Sequence, residues 1–88
     1  MQTYDLNRNA IKTRIREKYP DSKSLMNENN HPDYILWMID QIPVFLNQGK
    51  IDRWIGCVQG LVYSLGLFGW NELRELTRQD LKTSTTNK

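Results

Sequence analysis

Apolar residues recur at intervals of three and four along most of this chain, a period that specifies helices rather than strands. Leu6, Ala10, Ile11, Ile15 and Tyr19 form one narrow stripe and predict a first helix over residues 6–19. Asp5 stands where a cap would, and Pro20 ends the helix because the residue before a proline avoids helical dihedrals. Residues 20–32, PDSKSLMNENNHP, are rich in turn formers and read as a loop, with Leu25 and Met26 available to pin it to a core. A second helix should begin near Pro32, capped by Asn30 or His31. Its stripe is Ile35, Met38, Ile39, Ile42, Phe45 and Leu46, flanked by Trp37. Pro43 removes a backbone donor, so a kink or break is expected at Ile42–Pro43, with a last turn ending at Gly49.

The third helix, over residues 52–65, is the most apolar. Trp54, Ile55, Val58, Leu61, Val62 and Leu65 cover a wide face that Cys57 and Tyr63 extend, which suits a central helix touched from several sides. Gly66 is its expected stop. A fourth helix follows Gly69, with Phe68 and Leu73 placed as a hydrophobic staple and Glu72 in the capping-box position. Leu73, Leu76 and Leu81 would face inward. Residues 82–88 are polar and read as a disordered tail. The expectation is an all-α fold, a single domain over residues 1–81 built as a small bundle of about four short helices. The competing topology is three helices with the first loosely attached. LVYSLGLF also fits a strand, but less well than it continues the helical stripe before it.

The 88 residues allow one domain at most and only a marginal core. Help from a disulfide within the chain is ruled out, since Cys57 is the sole cysteine, and a metal site is disfavoured by a single histidine, His31. Self-association as a homodimer, or a partner protein, becomes the natural source of extra stability. A lone thiol suits a reducing compartment, so a cytoplasmic protein is expected. No leader or membrane span is read from the sequence: residues 54–70 are the longest low-charge run, and glycines interrupt it. The net charge is only +2, yet it is uneven. Arg8, Lys12, Arg14, Arg16 and Lys18 outnumber Asp5 and Glu17 in the first helix, whereas acids outnumber bases over residues 33–81.

No constellation for catalysis stands out. His31, Asp33 and Tyr34 cluster at a helix start and read as capping, without a second histidine or paired carboxylates. Cys57 lies among apolar residues, a setting that keeps a thiol inert. There is no Walker loop, dinucleotide fingerprint, zinc spacing or hydrolase elbow. Neither an enzyme nor a cofactor is expected. Three features point to binding instead. Gly56 and Gly60 share a helix face and cost about 1 kcal/mol each against alanine, which close packing of another helix would offset; a dimer seam or a ligand groove are the other readings. Gln59 beside them reads as a satisfied core glutamine. Arg8, Lys12 and Arg16 line one side of the first helix as a solvated face or a contact for phosphate or an acidic protein. Of the three tryptophans, two are expected mainly in the core and one, Trp70 behind Leu67-Phe68-Gly69, partly exposed as a binding anchor with Phe68; Trp37 is a further contact candidate, through a groove beside it and Gln59.

The run Arg53-Trp54-Ile55-Gly56-Cys57-Val58-Gln59-Gly60, continued by Leu65-Gly66 and Asn71-Glu72-Leu73-Arg74, resembles small all-helical proteins of tailed bacteriophages that carry an Arg-Trp-aliphatic-Gly-x-x-Gln-Gly run. His31 and Trp37-Met38 extend the likeness, which covers about residues 31–78 and leaves out the basic first helix. That group has no settled activity. Phage proteins of this size often inhibit host defence systems, by holding a nuclease or by sequestering a cyclic nucleotide. Many are acidic DNA mimics, and a chain of charge +2 is not. The resemblance therefore implies phage provenance more than function, and that class in turn leads to the expectation of an inhibitor or modulator that binds a host protein in the host cytoplasm. A nucleotide-sequestering or nucleic-acid-binding accessory protein is the alternative.

Overall fold

The computed structural model describes residues 1–86, and those residues form an all-helical bundle. Helix α1 spans Asp5–Lys18, α2 His31–Gln41, α3 Gln48–Ser64 and α4 Trp70–Thr86, with a 3-10 turn at Ile42–Val44 between α2 and α3. The first helix is an integral member. It packs against α4 on one side and α2 on the other, and α2 packs in turn against α3. Ile11 and Ile15 of α1, Ile35, Leu36 and Ile39 of α2, Ile42, Ile51, Val58 and Val62 around α3, and Leu73 of α4 are shut off from solvent. They make one continuous core.

Local sequence sets the helix ends. The Asn30 side chain accepts from Asp33 N at 3.2 Å and starts α2. Pro43 ends α2 more completely than a kink. The backbone turns once as 3-10, becomes extended at Phe45, and α3 begins at Gln48 with the Asn47 side chain accepting from Lys50 N at 2.9 Å. The expected final turn of α2 through Gly49 therefore belongs to α3, and Leu46 is 90% exposed instead of joining the stripe. Helix α3 closes at Gly66, whose φ of +74° suits glycine. Leu67 N donates to Val62 O and Gly66 N to Tyr63 O, the paired bonds of a Schellman ending. Glu72 fills its capping-box role, its Oε1 accepting from Gly69 N at 3.1 Å, and the stapling residues Phe68 and Leu73 are both buried.

Other expectations change. Leu25 and Met26 are exposed and do not pin the loop. Leu6 and Leu81 are also not buried, at 39% and 48% exposed. The polar tail expected from Lys82 lies in α4 as far as Thr86; its last two residues, 87–88, fall outside the described residues.

The start of α1 is held by an acid far away in sequence. Tyr4 precedes the helix in the left-handed region (φ 54°) and supplies no side-chain cap. Asp80 of α4 takes over, its carboxylate accepting from Leu6 N at 2.9 Å and Asn7 N at 3.0 Å. The buried Asn7 side chain donates to the same carboxylate at 2.7 Å. A polar seam runs on from there: Gln59 Nε2 of α3 donates to Asn7 Oδ1 and to Thr77 Oγ1, each at 2.8 Å. One set of hydrogen bonds thus ties α1, α3 and α4 together, and no described buried side-chain nitrogen or oxygen is left without a partner.

Candidate binding groove

Helices α3 and α4 are joined by a tight turn but are not among the main packed pairs. Between them runs a groove of about 360 Å³. Its floor is Gln59, Leu73 and Thr77, and Trp70, Arg74, Arg78 and Leu81 rise along the α4 side. Trp70, at the first position of α4, is 53% exposed and meets Tyr63 of α3 edge-on, with ring centroids 5.7 Å apart. Gln59 is the satisfied glutamine that the sequence implied, and it also forms part of this floor.

Gly56 and Gly60 require a correction. They were expected to face a closely packed helix, yet a Cβ placed on either would meet nothing within 4 Å. The apolar positions 51, 55, 58 and 62 face the core, and the glycines fall on the opposite, solvent-facing side of α3. That side also carries Arg53, Cys57, Tyr63 and Ser64, all exposed. Cys57 is therefore an exposed free thiol, not a buried inert one. Gly56 and Tyr63 stand three and four residues from Gln59, so beside the groove α3 is open at Gly56 and carries the Tyr63 ring one turn further along.

Most of the basic face on α1 is used internally. Arg8 pairs with Asp5, and its Nε donates to Thr3 O at 2.8 Å. Lys12 meets Asp40 of α2 at 2.7 Å. Arg14 donates to Leu67 O at 2.9 Å, pairs with Glu72 at 3.0 Å and lies 3.9 Å over the Phe68 ring. This clamp fixes the α3–α4 turn onto α1. It also explains why Phe68, expected as an exposed anchor beside Trp70, is only 4% exposed. Of the three cations proposed as a binding stripe, Arg16 alone is exposed, and Arg8 and Lys12 are partly covered and paired.

The carboxylates record these contacts. Burial works to raise the Asp40 carboxyl, but hydrogen bonds from Lys12 and Ser24 and the charges of Lys12 and Arg16 outweigh it and hold its pKa below the ordinary value. The Gly69 N–H, then Arg14, lower Glu72. The Thr3 hydroxyl, then Arg8, lower Asp5. Burial, followed by its hydrogen bond to Asp52, pushes the Tyr4 phenol up to about 12.

Trp37 takes no part in the groove. It stacks on Tyr34 at 5.8 Å and leans on Trp54 at 5.9 Å, while Phe45 meets Trp54 edge-on at 4.7 Å and Lys50 Nζ lies 4.4 Å over the Phe45 ring. This aromatic group covers one side of the α2–α3 contact, and Trp37 and Trp54 are half-buried against the core and not within it. His31 is exposed at the start of α2, and among the described residues no three His, Cys, Asp or Glu side chains gather as a metal site. No described helix is long and apolar enough to cross a membrane.

The sequence singled out Trp70 and Gln59 but missed Asn7, Arg74, Thr77, Arg78 and Asp80. Spacing carried a signal for some of them. Asn7 continues Ile11 and Ile15 by fours, and Leu73, Thr77 and Asp80 run along one side of α4. Compared with protein-family models, curated proteins and solved structures, the chain matches none.

Proposed function

We propose that this chain is a non-enzymatic binding protein that acts through protein–protein contacts, and that the α3–α4 groove with its glycine shoulder is the contact surface. One observation carries the reading: an exposed tryptophan borders a partly apolar groove whose neighbouring helix face has been cleared by two glycines. Exposed tryptophan is the side chain most enriched in interface hot spots. Glycines whose Cβ positions meet nothing among the described residues lower helix stability without a local return, which fits a face reserved for another molecule. The likeness to phage proteins in the Arg53–Gly60 run supports reading the partner as a host protein and the role as inhibitor or modulator in the host cytoplasm.

The second reading, nucleotide sequestration or nucleic-acid accessory binding, draws on the same groove, where Trp70 offers a stacking surface and Arg74 and Arg78 offer charge. The experiment is affinity purification from bacterial lysate with the tagged chain and its Trp70→Ala variant in parallel. A protein retained by the parent, lost from the variant and still held at about 0.5 M salt supports the protein-binding reading. Retained nucleic acid or nucleotide that elutes steeply with salt supports the second.

A further inference from the structure

We infer that the occupant of the α3–α4 groove is an amphipathic helix of a partner protein, with apolar anchors along one face and carboxylates on its edges. This rests on the groove being the binding surface, and three features of the groove specify the occupant. The first is shape. From Trp70 to Leu81 the α4 wall runs eleven residues, about 16 Å or three helical turns, so the groove is long enough for anchors at i, i+4 and i+7. The open shoulder at Gly56 and Gly60 lets a second backbone approach α3 closely. The second is the floor. Gln59 Nε2 already donates to Asn7 and Thr77, so these amide protons are committed within the chain and do not read a base edge, while Leu81 and Trp70 present apolar surface. The third is charge. Arg74 and Arg78 are spaced by four and exposed on one wall, and Lys82 continues the row. Glu75 offsets only Arg78, so the rim is net basic and complementary to an acidic edge.

The test uses the full chain labelled with nitrogen-15 and two synthetic, helix-stabilised peptides of about fourteen residues. Both carry the same leucine stripe; one has glutamate and the other lysine at the flanking positions. The glutamate peptide is expected to shift the amide signals of Gln59, Gly60, Trp70, Arg74 and Thr77, and to bind about tenfold more tightly than the lysine peptide at low salt. The preference should shrink near 1 M salt, where screening reaches about 3 Å. In the Arg74→Glu, Arg78→Glu double variant it should reverse, and an unchanged far-ultraviolet spectrum establishes that the variant is folded.

Equal binding of both peptides at the groove overturns the acidic-helix inference and leaves the groove standing. No shift at the groove with either peptide overturns both. A cyclic dinucleotide that shifts the same signals more strongly than the glutamate peptide overturns the helix in favour of a nucleotide. Concentration-dependent shifts of the free chain at these residues overturn it in favour of a second copy.

Discussion

Asp80 is a carboxylate 4% exposed to solvent, and it is stabilised by two backbone N–H groups at the start of α1 and the amide of Asn7. The partial positive charge of the helix N-terminus adds to this. Both of its oxygens accept, so an amide is not an adequate replacement: one end of an asparagine would direct N–H groups at N–H groups. Asp80→Asn and Asp80→Ala should each lower unfolding stability by about 2–3 kcal/mol, the loss of a cap together with stranded buried donors, as read by urea titration. A loss under about 0.5 kcal/mol would show that α1 does not depend on this cap. Asp40 contributes in a pH-dependent way. Its folded pKa is depressed, so its pairing with Lys12 and Ser24 stabilises the chain fully above the unfolded value near 3.9 and is lost as pH falls through the lower folded value. Thermal melts from pH 7 down to about 2.5 should show parent and Asp40→Asn converging at the acid end. A gap that stays constant with pH would assign the effect to packing and not to charge.

Each helix follows from its own stretch of sequence to a different degree, and the caps explain most of the difference. The α4 start was legible because the capping box and staple are local: Phe68, Gly69, Glu72 and Leu73 lie within six residues. The α3 stop was legible because only glycine takes φ of +74° at no steric cost. The α1 start was not, since its cap comes from α4. The α2–α3 boundary was misplaced because the apolar stripe runs on through Phe45 and Leu46, whereas Pro43 and the Asn47 cap override it. In α3, period alone predicted a broad apolar face and could not tell which flank the glycines would occupy; their exposure follows from α4 docking on α1 instead. That placement reverses the sign of an otherwise natural expectation. Gly56→Ala and Gly60→Ala fill open space within a helix, so each should raise stability by about 0.5–1 kcal/mol in thermal or urea unfolding. Destabilisation by either would mean that a neighbour lies against this face.

At the scale of the whole molecule, the distribution of charge and of exposed aromatic surface separates what holds the bundle together from what is free to bind. The cations of α1 looked like a recognition stripe in one dimension. Folding puts Asp40 of α2 and Glu72 of α4 against Lys12 and Arg14, which joins α1 to its neighbours, while Arg8 pairs with Asp5 within α1. The cations beside the half-exposed Trp70 are those on α4, above all Arg74. The two kinds of residue should therefore act on different rate constants once a partner is in hand. Rim charge guides encounter and is screened by salt, whereas a desolvated aromatic anchor sets how long the complex survives. Trp70→Ala should speed dissociation about 30-fold, the equivalent of an anchor worth about 2 kcal/mol, with association nearly unchanged. Arg74→Glu with Arg78→Glu should chiefly slow association, most strongly at low ionic strength. Lys12→Ala breaks an internal pair, so it should weaken the fold slightly and leave both rate constants as they are. Surface plasmon resonance on these folded variants at two salt concentrations reads all three effects. If Lys12→Ala alters binding and Trp70→Ala does not, the contact surface lies on the α1–α2 side and the groove is not the site.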